Sequence, residues 1–369
     1  LEGLNWAFQP VGYSVSGGTG PQTAVAMRDG KVWPVVFAES QAKLQAYTLY
    51  PVTNPVTKTN WFQIGSNLIQ DPGNLAMLSA ATSSDGRFGA VLRSIANANS
   101  SAIVGASPSG FGPVLSGVQA IDFDKDGNLI KGTLNTIPVV NQVIAGPLLD
   151  IAASPTGDLG AIDANFRYYQ KLAMAGVWGY TDLKAVLPTV QTIEPNSLDL
   201  TIDSLGRPHI VGLAMQSTPS VVALDFNIAT GSWVSQTLGD NMISAPFGAT
   251  AACDGRGRVG AAWVERTDST NLGTLMYAYK DGTSDWVVET VATGVPTVGT
   301  ETTPLTAAQG VGLTFDSENL PVISFTSYDG KIWLAYDPIS PIGVPEPSTL
   351  ALLGAGVIFG LVTVRRWRR

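Results

Sequence analysis

Seven segments of this chain repeat one pattern: an apolar strand, a tight turn and a second apolar strand. They read AVAMRDGKVWPVVF, AATSSDGRFGAVL, AIDFDKDGNLIKGTL, IAASPTGDLGAID, LTIDSLGRPHIVGL, TAACDGRGRVGAAW and LTFDSENLPVISF. The turn residue is Gly30, Gly86, Gly127, Gly157, Gly206, Gly257 and, in the last copy, Asn319. Glycine and asparagine are the residues most tolerant of positive φ, so each segment predicts a hairpin. Three residues earlier stand Ser83, Asp124, Ser154, Asp203, Asp254 and Asp316, with Met27 breaking the column. Short polar side chains there cap the turn backbone, which makes these aspartates structural by default.

The turn residues follow one another at intervals of 56, 41, 30, 49, 51 and 62. A mean near fifty is what a four-stranded blade needs, so the expected fold is all-β, a β-propeller over residues 1–337. Trp61, Trp178, Trp233 and Trp286 each follow a turn by 21 to 31 residues and open outer strands. The last copy runs through TSYDGKIWLAYD and lacks a fourth strand. Trp6, Gln9 and Val11 match Trp233, Gln236 and Leu238 in type and spacing, so the N-terminal strand is expected to complete the last blade and close the ring. Seven blades are favoured. The 30-residue interval is too short for four full strands, which leaves a degenerate blade or six blades as alternatives, and a pair of β-sandwiches as the competing architecture.

Chemistry is sparse. His209 is the one histidine and follows Pro208 at the start of a second strand, a structural position. Cys253 is the one cysteine, so no intrachain disulfide forms, and its first-strand column predicts a buried thiol. No nucleophile elbow, HExxH, phosphate loop or dinucleotide fingerprint occurs. Sialidase turns, Ser-x-Asp-x-Gly-x-Thr-Trp, differ from SSDGRF and DSLGRP in spacing and in their Trp. Glu39, Arg93, Glu265 and Arg266 lie near the ends of second strands, where ion pairs or solvated charges account for them. IDFDKDGNLI is the exception. It sets Asp122, Asp124 and Asp126 at alternate positions before Gly127 and Asn128, the order of an EF-hand-type calcium loop. Ile130 and Thr133 stand where acidic ligands belong, so any Ca2+ bound there is held weakly, and an ordinary Asp-Gly hairpin is the competing reading.

The chain closes with VPEPSTLALLGAGVIFGLVTVRRWRR. Thr349 to Val364 carry no charge and, at about 1.5 Å per residue, make a transmembrane helix of roughly 24 Å, short of the roughly 30 Å of a bilayer core. Arg365, Arg366, Arg368 and Arg369 hold the C-terminus on the cytoplasmic side, which places everything before Pro345 outside. The order of Val344-Pro345-Glu346-Pro347, apolar span and arginine cluster resembles the PEP-CTERM sorting signal of bacteria that make exopolysaccharide. The resemblance implies that Pro345, Glu346 and Pro347 form the recognition site for exosortase, a membrane transpeptidase-like enzyme, and that residues 345–369 form a sorting signal joined by a linker at 338–344. It also implies an N-terminal signal peptide. The chain opens LEGLNWAFQP, so that peptide is inferred to have been removed.

Without the tail, 17 basic and 28 acidic residues leave a formal charge of −11, which argues against a nucleic-acid partner. The expected protein is therefore exported, anchored transiently in the inner membrane and then released or moved to the outer surface or extracellular matrix. Its expected function is non-catalytic binding of glycan or protein in an exopolysaccharide or biofilm layer. A carbohydrate-active hydrolase or lyase of sialidase-like propeller type, using Glu39, Glu265 or an aspartate at the ring mouth, is the alternative.

Overall fold

The computed structural model describes residues 6–14, 23–28, 33–40, 43–49, 61–70, 75–82, 88–94, 118–123, 148–153, 159–163, 165–171, 178–194, 197–215, 217–240, 249–265, 272–296, 302–306, 311–326, 331–337 and 339. They form antiparallel sheets of hairpin-connected strands, inner strand first. The first sheet holds β2 (Thr23–Arg28), β3 (Trp33–Ser40), β4 (Lys43–Leu49) and β5 (Trp61–Gln70). The second holds β6 (Leu75–Thr82), β7 (Phe88–Ser94) and β8 (Val118–Phe123). In the third are β9 (Leu148–Ala153), β10 (Leu159–Asp163), β11 (Arg167–Lys171) and β12 (Trp178–Asp182), and a short helix α1 (Leu183–Val186) follows. The fourth comprises β13 (Asp199–Ile202), β14 (Pro208–Ala214), β15 (Ser220–Asn227) and β16 (Ser232–Gly239). The fifth comprises β17 (Thr250–Cys253), β18 (Arg258–Glu265), β19 (Leu272–Asp281) and β20 (Val287–Ala292), extended by β21 (Gly294–Pro296) and β22 (Thr302–Thr306).

The sixth sheet draws on both ends of the body. β23 (Gly312–Phe315), β24 (Pro321–Thr326) and β25 (Lys331–Tyr336) are joined by β1 (Ala7–Ser14), which pairs Ala7 with Tyr336 and Pro10 with Trp333. The expected closing strand is therefore present. Its Trp6 meets Tyr277 of the fifth sheet edge to face at 5.7 Å, just as Trp233 of the fourth meets Tyr168 of the third at 5.4 Å. Such aromatic pairs add about 0.5 to 1.5 kcal/mol beyond their buried area. The match of Trp6 to Trp233 in sequence is thus a match in packing.

Six sheets are described, where the repeats favour seven. β8, expected to open a third blade, instead pairs with β7 as the third strand of the second sheet, Phe88 opposite Phe123 and Gly89 opposite Asp122. That pairing removes the need to fit a whole blade into the 30-residue interval.

Successive inner strands lie side by side in the order β9, β13, β17, β23, β2, β6. Both faces of a middle sheet are therefore covered, which explains why its strands read as continuous apolar runs. Along β14 and β15, Ile210, Val222 and Leu224 pack toward the third sheet, while Val211, Val221 and Ala223 pack toward the fifth. Trp61, Trp233 and Trp286 lie on or just before fourth strands and are at least nine-tenths buried. At Gly312 on β23 the seam with the first sheet is at its tightest. A Cβ there would stand 2.5 Å from the Cα of Ala24 and 2.8 Å from the backbone nitrogen of Val25, so only glycine fits.

Candidate functional site

The inner strands end in turns of one design. Gly206, Gly257 and Asn319 have φ of 76°, 85° and 63°, as their places in the repeat require. In the fourth sheet, Asp203 Oδ1 accepts the backbone N–H groups of Leu205 and Arg207, both at 2.9 Å. Asp254 does the same for Arg256 and Arg258, and Asp316 for Glu318 and Leu320. The aspartate column is thus structural in these three sheets. The turns also touch one another: Gly255 donates its N–H to Asn319 Oδ1 at 2.8 Å, and the Arg258 guanidinium reaches the Asn319 carbonyl at 2.6 Å. The corresponding turns at Gly30, Gly86, Gly127 and Gly157 lie outside the described residues.

His209 sits just above this layer, 2% exposed. Its Nδ1 is 2.6 Å from Asp225 Oδ1, and its Nε2 is 3.4 Å from Asp203 Oδ2. Asp203 Oδ2 also accepts from Arg207 Nε. Asp225 Oδ2 accepts from Lys280 Nζ at 2.8 Å and Trp286 Nε1 at 3.0 Å, both from the fifth sheet. Burial pulls the His209 pKa down, but the two carboxylates outweigh it and raise it above the ordinary value. For Asp203, burial alone would push the pKa up, yet the bonds with His209 and Arg207 bring it down to about 2. Both ring nitrogens are engaged within the fourth sheet, in line with the structural reading of this histidine, and Asp225, which it orients, fastens that sheet to Lys280 and Trp286 of the fifth. Cys253, expected as a buried thiol, is partly buried, and desolvation pushes its pKa up to about 12.

At the opposite ends of the same inner strands lies a feature that the repeats did not announce. Asp150 Oδ2 accepts the Leu200 N–H of the next sheet. Asp199 Oδ2 accepts the Thr250 hydroxyl at 2.7 Å and the Ala251 N–H at 2.8 Å of the sheet after that. Burial raises the Asp199 pKa, against the lowering effect of its bonds with Asp150, Thr250 and the backbone. A signal existed: Thr23, Ser79, Asp150, Asp199 and Thr250 all stand seven residues before a turn residue, in otherwise apolar strands.

Of the acids expected at the ring mouth, Glu265 is described. It ends β18 beside Trp263, half-buried, with its pKa raised first by burial and further by the charge of Asp240. A Cβ on Gly239 would lie 3.2 Å from Trp263 Nε1 and 3.4 Å from Glu265 Oε2, so the last residue of β16 packs closely against both. Glu39 is the next-to-last residue of β3 and Arg93 lies on β7, their side chains outside the described set, as is Arg266.

An exposed polar and aromatic face occupies the outer half of the third sheet. Register places Arg167 opposite Asp182 and Tyr169 opposite Tyr180. Tyr169 is fully buried, donates its hydroxyl to Asp163 Oδ2 at 2.8 Å, and backs the Tyr180 ring at 5.9 Å between centroids. Tyr180 is 58% exposed, with the Arg167 guanidinium 5.5 Å from its ring centre. Asp163 also accepts the N–H groups of Asn165 and Arg167, closing a turn in which Phe166 has φ 59°. This is the repeat's aspartate turn transplanted to the other end of a sheet, without a glycine to reveal it.

Within the calcium-type loop, Asp122 lies on β8, while Asp124, Asp126 and Asn128 lie outside the described residues, as do Pro345, Glu346, Pro347 and the apolar span expected to cross a membrane. Among the described residues no helix is long and apolar enough to do so.

Residues 343–369 match the PEP-CTERM protein-sorting motif, so the resemblance drawn from Pro345, Glu346, Pro347 and the terminal arginines holds. By structure the chain is similar to AofleA from Arthrobotrys oligospora, at 10% identity and a TM-score of 0.51 over 89% of this chain and 85% of that one. It is also similar to a fucose-specific lectin from Aleuria aurantia, at 14% identity and a TM-score of 0.50 over 89% and 97%. A mutant of the Aleuria aurantia lectin in complex with Fucα1-6GlcNAc gives 14% identity and a TM-score of 0.51 over 89% and 98%. At these identities the likeness is one of fold. No curated protein matches the sequence.

Proposed function

We propose that this chain is an exported, exosortase-processed surface protein whose six-bladed, propeller-like body binds glycan without cleaving it. The PEP-CTERM motif at residues 343–369 carries the reading, because it implies export and processing, and a glycan is the ligand class that a body at the cell surface commonly meets. The lectin-like fold supports a glycan partner over a nucleic acid, as does the acidic body. Arg365, Arg366, Arg368 and Arg369 keep the tail cytoplasmic until exosortase acts at Pro345, Glu346 and Pro347. A weak calcium site at Asp122, Asp124, Asp126 and Asn128 belongs to the same proposal, carried by the alternate spacing of the donors.

One observation favours a second reading. Glu265 holds a raised pKa near the charge of Asp240, and hydrolysis of a glycosidic bond uses one protonated and one ionised carboxyl group. A glycan array probed with the purified full chain, read for binding and for cleavage, with calcium and with chelator, separates the two. Binding without cleavage is expected. Cleavage abolished by Glu265→Gln would replace the first reading with the second.

A further inference from the structure

We propose that the outer half of the third sheet is a sugar subsite for a neutral pyranose, with Tyr180 as its stacking platform and Arg167 and Asp182 as its hydrogen-bonding pair. The proposal deepens the glycan-binding reading and rests on it. A large aromatic residue that is 58% exposed is unusual in a sheet whose other tyrosines, Tyr168 and Tyr169, are buried. The ring is also held in place: Tyr169 backs it, and the Tyr169 hydroxyl is tied to Asp163. A rigid ring loses little entropy when a ligand stacks on it.

The polar groups sit where a sugar's hydroxyls would fall. Arg167 and Asp182 face each other across β11 and β12, two residues along from the Tyr169 and Tyr180 pair and on the same face. The Arg167 guanidinium lies over the Tyr180 ring, 5.5 Å from its centre, so a sugar packed against that ring comes within reach of this pair. The guanidinium offers several donors, and the carboxylate, one of whose oxygens already accepts the Lys184 N–H at 3.0 Å, keeps a second for a ligand hydroxyl. Donor and acceptor side by side suit vicinal hydroxyls. The charges of Arg167 and Lys184 are balanced by those of Asp163 and Asp182, so the patch carries no net charge to draw in a uronate or sulfate.

The test uses the purified full chain on neutral and acidic glycans, followed by titration of the best neutral methyl glycoside into the parent and into Tyr180→Ala, Tyr180→Phe and Arg167→Gln. Tyr180→Ala and Arg167→Gln are each expected to weaken binding about tenfold, Tyr180→Phe to stay within about twofold, and all to melt with the parent. Neutral-glycan binding unchanged in Tyr180→Ala would overturn the subsite and leave the glycan reading standing. Preference for acidic glycans would overturn the neutral assignment, and binding of no glycan at all would overturn both.

Discussion

Asp199 opens β13 and Asp203 follows its last residue, both buried, yet their surroundings drive them in opposite directions. Asp203 meets two backbone amides, a guanidinium and an imidazole, and its pKa falls to about 2. Asp199 meets amides, a hydroxyl and another carboxyl group, and burial raises its pKa. The first is a carboxylate by construction. Burial shifts the second toward its protonated form, which can donate toward Asp150. The difference follows from the repeat. Every described turn end carries the same aspartate, whereas the far end holds Asp150, Asp199, Thr250, Gly312 and Thr23 in successive sheets, so one end is shared hardware and the other is fitted to each seam.

The comparison breaks most visibly by substitution. Asp203→Ala strips two amide caps and leaves His209 and Arg207 buried without their partner, an expected loss of about 3 to 5 kcal/mol by denaturant unfolding. Asp199→Asn keeps an acceptor for Thr250 and Ala251 and a donor toward Asp150, so its expected cost is below about 1 kcal/mol. Equal losses in the two variants would end the distinction. At the same repeat position, Gly312→Ala drives a methyl group into the backbone of Ala24 and Val25, with an expected cost of about 1 to 3 kcal/mol; an unchanged melting temperature would mean that this seam is loose.

A smaller effect comes from pH. Asp203 contributes stability above the ordinary carboxylate range, and that contribution is lost as pH falls toward about 2. Asp199 works the other way: its contribution is full at low pH and is lost as pH rises from the ordinary carboxylate value through its raised one. His209, also raised, stabilises fully below its unfolded value of 6.5 and loses that contribution as pH climbs through its folded one. Melting temperature is therefore expected to fall on both sides of a mildly acidic optimum. Asp199→Asn should flatten the decline just above the optimum, and His209→Gln the decline near and above neutrality. An Asp199→Asn profile that superimposes on the parent would show that Asp199 carries no extra proton.

Much of this was legible in the chain. Positive φ at Gly206, Gly257 and Asn319, the capping aspartates, the outer tryptophans and the pairing of the N-terminal strand with the last sheet all follow from local chemistry repeated at regular intervals. Pairing between distant strands was harder to read. β8 has the composition of an inner strand and serves as a third strand, because an apolar run fits any covered position in a sheet and only its neighbours decide which. The Asp150 and Asp199 seam was also missed, since its polar column changes chemistry from sheet to sheet. The turn at Asp163 went unseen because Phe166 takes the left-handed conformation usually signalled by glycine.

The pairing of β1 with β25 imposes a timetable. Ala7 and Tyr336 lie about 330 residues apart, so a chain threaded outward from its N-terminus holds its first strand in waiting until nearly all the rest has crossed. Only then does the sixth sheet gain its outer edge, and Pro345 of the sorting motif follows Tyr336 within a short linker. On the proposed export route, completion of the body falls at the membrane, while the molecule is still tethered and neighbours are close. Until then the open edge of β25 accepts any matching strand, and the first strand of an adjacent copy matches as well as its own. Crowded export sites would accordingly yield exchanged dimers, with the tether's length setting how often a chain finds itself first.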